Sequence, residues 1–189
     1  ITHLVTMIVE GDDSWMFQIP GTSLVQRQAK LCDYDWLPVT TRGVQEEEIS
    51  DLENALSQIE VDGIVSGAIR SDYQKTRLER MCERLGIKSF TPLWHQSSES
   101  HMDGLVNHGF QVMITGVSSE GLTDEWLGHI LTPESLRRMK SLAAKYRFNV
   151  DGEGGEYETL VVAGPHMKGS LDLVYKIEWD GVRGHLIFE

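Results

Sequence analysis

Apolar and polar positions alternate along the first ninety residues in the rhythm of an α/β protein. Leu4–Val9 is a continuous apolar and β-branched run, the signature of a strand buried on both faces. A loop from Gly11 to Gly21, holding Trp15, Met16 and Phe17, separates it from a helix predicted over about Thr22–Cys32, with Leu24, Val25, Gln28 and Leu31 at helical spacing. Trp36–Val39 reads as a short strand. From Gln45 onward Ile49, Leu52, Leu56 and Ile59 form one stripe, and Glu46, Glu47 and Glu48 suit the positive end of that helix's dipole. A turn at Val61-Asp62-Gly63 leads into a second buried strand, Ile64–Ile69. Ser71-Asp72-Tyr73-Gln74 has capping-box form and starts a helix with Leu78, Met81, Cys82 and Leu85 inward, ended by Gly86. This alternation predicts a doubly wound parallel sheet in which both apolar runs are central strands.

After Phe90-Thr91-Pro92-Leu93-Trp94 the pattern changes. Phe110–Val117 is a further apolar strand, and Thr132-Pro133 opens a helix carrying Leu136, Met139, Leu142 and Tyr146. Tyr157–Val162 and Leu171–Trp179 alternate with period two, and Gly184–Phe188 is a shorter strand. The boundary is placed near Thr91, giving an α/β domain over 1–90 and a smaller α+β domain over 91–189.

Charge narrows the function. The 189 residues carry 29 acidic and 17 basic side chains, a net charge of −12, which argues against direct nucleic-acid binding and requires any bound phosphate to find a local cationic pocket. Cys32 and Cys82 lie far apart, so neither a disulfide framework nor a thiolate metal site is expected, and the chain reads as cytoplasmic. No apolar stretch has the length of a membrane span, and no metal is expected, because His95, His101 and His108 lack ligand spacing. The opening at Ile1, on a strand-like run, reads as a fragment.

Two stretches carry candidate chemistry. Ser66-Gly67-Ala68-Ile69-Arg70-Ser71-Asp72-Tyr73-Gln74-Lys75-Thr76-Arg77 sits where a parallel strand gives way to a helix N-terminus, the usual place for an anionic ligand. Gly67 permits close backbone approach, and Arg70, Lys75 and Arg77 can neutralise phosphate; an ordinary capped helix with solvated cations gives the same pattern. Asp151-Gly152-Glu153-Gly154-Gly155-Glu156-Tyr157-Glu158-Thr159 lacks the third glycine of a dinucleotide fingerprint and leads into a strand. Its carboxylates suit a cation, an ammonium or proton transfer, with Glu156 and Glu158 on one face; a glycine turn before a strand with an acidic wet face is the alternative. Trp94, Trp126 and Tyr157 can wall a cation or simply fill a core.

These two stretches, with Thr91-Pro92-Leu93-Trp94, Gly116-Val117-Ser118-Ser119-Glu120-Gly121-Leu122 and Trp126-Leu127-Gly128 between them, resemble the diphthine–ammonia ligase (diphthamide synthetase) family. That family consists of PP-loop ATP pyrophosphatases of the adenine nucleotide α-hydrolase-like superfamily. The resemblance implies ATP-dependent adenylation of the diphthine carboxylate on translation elongation factor 2, then displacement of AMP by ammonia. It implies that Thr6 and Met7 meet adenine through their backbone, that Gly67, Ala68, Arg70, Tyr73, Gln74 and Arg77 line the nucleotide pocket, and that magnesium accompanies the phosphates. Glu153 and Glu156 take catalytic roles, with Glu156 reaching into a cleft between the domains. Glu158, Thr159, Tyr157, Trp94 and Trp126 face diphthine, whose quaternary ammonium suits carboxylates and aromatic faces. The family's Ser-Gly-Gly-Lys-Asp-Ser loop is expected ahead of Ile1, and the chain shown is expected to bind ATP poorly without it. His129 and Ala163 stand where the family pattern has Arg and an acidic residue. Two alternatives accompany this expectation: a PP-loop adenylating ligase or amidotransferase acting on another substrate, and a non-catalytic nucleotide- or partner-binding module. Homo-oligomerisation is left open.

Overall fold

The opening apolar run forms strand β1 (His3–Val9), paired in parallel and in register with β2 (Asp35–Thr41), in a computed structural model of the chain. The structure describes residues 1–11, 14, 16, 17 and 21–189; Trp15, named in the Gly11–Gly21 loop, lies outside them. The chain divides into two units, Ile1–His95 and Gln96–Glu189.

In the first unit a 3-10 turn at Thr22–Leu24 leads into α1 (Val25–Cys32), and β2 is followed by α2 (Glu47–Leu56). β3 (Gly63–Val65) pairs in parallel with β4 (Lys88–Phe90) across α3 (Asp72–Leu85). Met7 and Val39 of the first pair share one core with Ile49, Leu52 and Leu56 of α2 and Leu78, Met81 and Cys82 of α3, while Ile64 and Ile87 pack against it. The α2 and α3 stripes read from the sequence thus point inward, whereas α1 buries Ala29 and Cys32 and leaves Val25, Gln28 and Leu31 half-buried; burial raises the pKa of the Cys82 thiol.

Two expectations change. The second apolar run is a strand only over Gly63–Val65: Ser66 N donates to Phe90 O at 3.0 Å as the ladder ends, and the chain turns so that His95 N reaches Ile69 O at 2.9 Å. Ile69 is buried by that turn, not by a sheet. Among the described residues neither β1 nor β3 is flanked on both sides: each belongs to a two-stranded sheet, and Val5 and Val65 stay 38% and 54% exposed. Strand β4, three residues long, carries too little pattern to be read.

The second unit is built on an antiparallel sheet of order β6-β5-β8-β7, formed by β5 (Gln111–Val117), β6 (Tyr157–Ala163), β7 (Tyr175–Trp179) and β8 (Gly184–Phe188). Helix α5 (Pro133–Tyr146) starts at a reciprocal Thr132–Ser135 capping box and buries Leu136, Met139 and Ala143. Helix α4 (Ser98–Asn107) went unread because it buries only Met102 and so shows no apolar stripe; Ser97 caps it. It packs on α5, where Lys140 donates to both Asp103 oxygens at 2.8 Å. The segment from Leu171 becomes a strand only at Tyr175, since Leu171 N is taken by Val162 O at 2.7 Å. No described helix is long and apolar enough to cross a membrane.

Gly63 is where the β3–β4 pair is tightest: a Cβ there would stand 2.5 Å from the Lys88 carbonyl oxygen. Backbone cannot give way as a side-chain end can. Gly63→Ala is expected to destabilise the first unit by about 1–3 kcal/mol, read as a lower urea midpoint; an unchanged midpoint would show that the strands separate freely.

Candidate functional site

Around the β3–α3 junction the nucleotide candidates fall into two groups. Gly67 is exposed, and a Cβ added to it would meet nothing within 4 Å, so the backbone at the carboxyl end of β3 is open to a ligand. Ser71 caps α3, accepting from Gln74 N at 3.3 Å. The side chain of Gln74 does not close the reciprocal half of a capping box; it donates to Met16 O at 2.8 Å and holds the loop after β1. Arg77 lies 3.4 Å above the Tyr73 ring and pairs with Glu46, while Lys75 pairs with Glu79 and sits 5.2 Å over Trp94. Two of the three expected phosphate cations are therefore engaged by carboxylates of their own unit. At the end of β1, Thr6 and Met7 are buried, and Thr6 Oγ1 accepts from Trp36 Nε1 at 3.2 Å.

The acidic run at the start of α2 divides by environment. Glu47 binds Arg42 at 2.6 Å on the surface, but Glu48 is 1% exposed. One Glu48 oxygen accepts from the Ser14 hydroxyl, whose oxygen accepts from Met16 N at 3.2 Å and Phe17 N at 2.9 Å; the other has no partner among the described residues. Glu48 and Gln74 thus grip the same loop from two helices. The sequence reads Glu48 only as one of three charges balancing the helix dipole, and its period-four spacing with the buried Leu52 is the one local sign of burial.

In the second unit, Gly152 N donates to Asn149 O at 3.0 Å and Gly155 N to Gly152 O at 2.9 Å, two successive turns. Glu156 closes them: Oε1 accepts from Asn149 N at 2.8 Å and from Asn149 Nδ2 at 3.0 Å, and Oε2 accepts from Gly154 N at 2.8 Å. A Cβ on Gly154 would stand 2.6 Å from that carboxylate, so glycine is what lets Glu156 lie across the loop. Ser118 fastens the turn to β5, donating from N to Glu156 O at 2.9 Å and from Oγ to Gly155 O at 2.6 Å. Glu153 is exposed on the turn, and Thr159 is half-buried on β6.

Glu158 differs from Glu156. It is the second residue of β6, opposite Gly116, with Oε2 3.3 Å from where a Gly116 Cβ would be. No described residue hydrogen-bonds its carboxylate, and burial raises its pKa, opposed by the positive charge of His185. The aromatic candidates differ in burial and in the unit that holds them. Tyr157 is 4% exposed and donates to Val150 O at 2.5 Å, its pKa pushed up by burial; Trp126 is 2% exposed and Trp94 belongs to the other unit. Trp126 Nε1 and His129 Nε2 are buried without hydrogen-bond partners among the described residues, their rings edge to face at 5.7 Å. His185 was missed because a lone histidine on a short strand carries no spacing signal.

Comparison with known proteins places this geometry. Residues 1–89 match the diphthamide synthase N-terminal domain and residues 97–189 the diphthamide synthase C-terminal domain. Among relatives, diphthine–ammonia ligase of Homo sapiens is 33% identical over 175 residues, 84% of this chain and 65% of the relative. The Danio rerio protein of the same name is 30% identical over 178 residues, 84% of this chain and 68% of the relative. For the Schizosaccharomyces pombe protein the figures are 31% over 183 residues, 87% and 30%, so the chain spans between 30% and 68% of the length of these relatives. With both halves matched in order and a third of its residues shared over most of its length, the chain belongs to the diphthamide synthase family.

Proposed function

We propose that the protein of which this chain is part catalyses ATP-dependent amidation of diphthine on translation elongation factor 2 by ammonia, through an acyl-adenylate. One observation supports this chemistry most: the Glu156-clamped glycine turn presents Glu158 as a half-buried carboxylate without a hydrogen-bond partner among the described residues. Such a group suits a cationic nucleophile or the cationic arm of diphthine. Adenylation supplies the good leaving group, and residues 1–90 form the nucleotide domain while 91–189 handle the acceptor.

The first unit fits adenosine better than triphosphate. The open backbone at Gly67, the adjoining Ala68 and the α3 N-terminus suit a base and ribose, with Tyr73 and Gln74 shaping the wall. Arg77 and Lys75 are already paired, so phosphates and magnesium depend on donors beyond these, such as a backbone loop ahead of Ile1 in a longer protein. A doubly wound sheet is consistent with this: β1–β2 and β3–β4 are parallel pairs on one core, each with an open edge that a further strand can fill. A cytoplasmic setting follows from the substrate.

Full-length protein given ATP, magnesium, ammonium and diphthine-bearing elongation factor is expected to convert the carboxylate to a carboxamide, detected by mass spectrometry of the modified peptide. Unchanged peptide with intact ATP consumption points to a different acceptor, and no nucleotide turnover at all removes the ligase proposal.

Glu156 is assigned a positioning role, since its oxygens are filled by the loop. Glu156→Ala strands the Asn149 and Gly154 amides and is expected to cost about 1–3 kcal/mol of stability. It should slow amide formation roughly 10²-fold by displacing the turn, with ATP affinity unchanged. A stable variant with normal turnover would make the clamp dispensable.

Glu158 carries a stability cost of opposite kind. Its folded-state pKa is raised above the unfolded value, so the stabilisation it gives is present at acid pH and lost as pH rises through the folded value. Glu158→Gln is therefore expected to raise the thermal midpoint at neutral pH by about 1–3 °C and to leave it unchanged near pH 4. A lower midpoint at both pH values would mean that the ionised carboxylate is satisfied in the fold.

A further inference from the structure

Glu48 is the most deeply buried charged side chain among the described residues, 1% exposed in the first turn of α2. One of its oxygens accepts from Ser14, and the other has no partner among the described residues. A carboxylate taken out of water and left half satisfied costs stability, so the contribution of Glu48 lies in what it holds. A serine hydroxyl has one hydrogen and two lone pairs. Ser14 directs the hydrogen at Glu48, which turns the lone pairs toward Met16 N at 3.2 Å and Phe17 N at 2.9 Å. Met16 is held from its other side as well, where its carbonyl accepts from Gln74 Nε2 at 2.8 Å in the first turn of α3. The Met16 side chain joins the core of Met7 and Val39, late residues of β1 and β2, with Phe17 and Tyr73 packed against the same core. Two helices thus fasten this segment at the carboxyl end of a parallel pair, where α/β sheets take their ligands.

We infer that Glu48 is a positioning residue for the adenine nucleotide: it touches no ligand, and through Ser14 it sets the Met16–Phe17 backbone as a wall of the pocket that receives base and ribose. This rests on the ATP-dependent reading proposed above, with adenosine at the carboxyl ends of β1 and β3. Without the carboxylate the Ser14 hydroxyl turns to water, the two amides lose a fixed acceptor, and the wall samples other conformations. Only molecules with the wall in place bind, so affinity falls in proportion to their fraction. Saturating nucleotide restores the wall, which leaves the chemical step unchanged. Glu48 therefore acts on the binding of nucleotide and not on its turnover.

The test uses full-length protein. Glu48→Met keeps the reach of the side chain and removes the acceptor, whereas Glu48→Gln keeps an oxygen for the Ser14 hydroxyl. By calorimetry with ATP and magnesium, Glu48→Met is expected to weaken binding about tenfold, and Glu48→Gln to recover most of that loss. In the amidation assay the KM for ATP should follow the same order, with kcat held. Ser14→Ala is expected to match Glu48→Met, and the double variant to be no worse than either, because the two residues act in series. The thermal midpoint of Glu48→Met should not fall, since the substitution removes a half-satisfied buried carboxylate. Amide exchange at Met16 and Phe17, measured without nucleotide, should speed up in Glu48→Met and Ser14→Ala but not in Glu48→Gln. Affinity that merely tracks the thermal midpoint, a kcat loss as large as the KM rise, or additive effects of the two substitutions overturns the inference. A protein that binds ATP with this pattern of variants and amidates no diphthine keeps the inference and removes the ligase activity; normal amidation with ATP affinity indifferent to Glu48 does the reverse.

Discussion

Three amide hydrogens of the Asn149–Gly154 loop converge on the two oxygens of Glu156, and much of the second unit's chemistry depends on that convergence. A loop with glycines at 152, 154 and 155 has little intrinsic preference, and its ordering entropy must be offset locally. The carboxylate does this by satisfying donors that would otherwise compete for water. Charge-assisted bonds are stronger than neutral ones, which suits a single side chain holding a two-turn loop. Once the turn is set, Ser118 ties it to β5, Tyr157 drops into the core under Val150, and Glu158 emerges on the opposite face. The period of two along β6 does the rest.

The same device, a buried or half-buried polar group spent on a loop, recurs in the first unit. Glu48 acts through Ser14 on the amides of Met16 and Phe17, and Gln74 holds the carbonyl of Met16. Both helices lend their first turns to the loop that follows β1. In each unit, then, the residues that shape a loop are distinct from those left free to meet a ligand. Gly67 and Glu158 are open; Gln74, Arg77 and Glu156 are occupied.

Legibility in the sequence followed the strength of local signals. Helices α2, α3 and α5 have apolar stripes, α3 and α5 with side-chain N-caps as well, and all three lie where the periodicity placed them. The Gly184–Phe188 strand agrees to the residue. Helix α4 has a cap but no stripe, and β4 is too short for any pattern. The apolar run Ile64–Ile69 misled because burial under a turn and burial in a sheet select the same residue types. The candidate stretches were found through their unusual composition, but the side chain of each role was not legible. Glu156 and Glu158 are equivalent on paper, and only the Asn149 backbone, seven residues back, distinguishes them. His185 reaches the site through strand pairing across some seventy residues, which no local pattern encodes.

The short parallel pairs of the first unit carry a liability of their own. Val65 and Phe90 are register partners, 54% and 61% exposed, beside strands whose outer backbone groups have no ladder partner among the described residues. Nothing of the usual protection, such as a lysine or proline facing outward or a bulge, interrupts the apolar edge of β1 between Leu4 and Val9. Concentrated solutions of this chain by itself would favour strand addition between molecules, so self-association through β-edges competes with its native state.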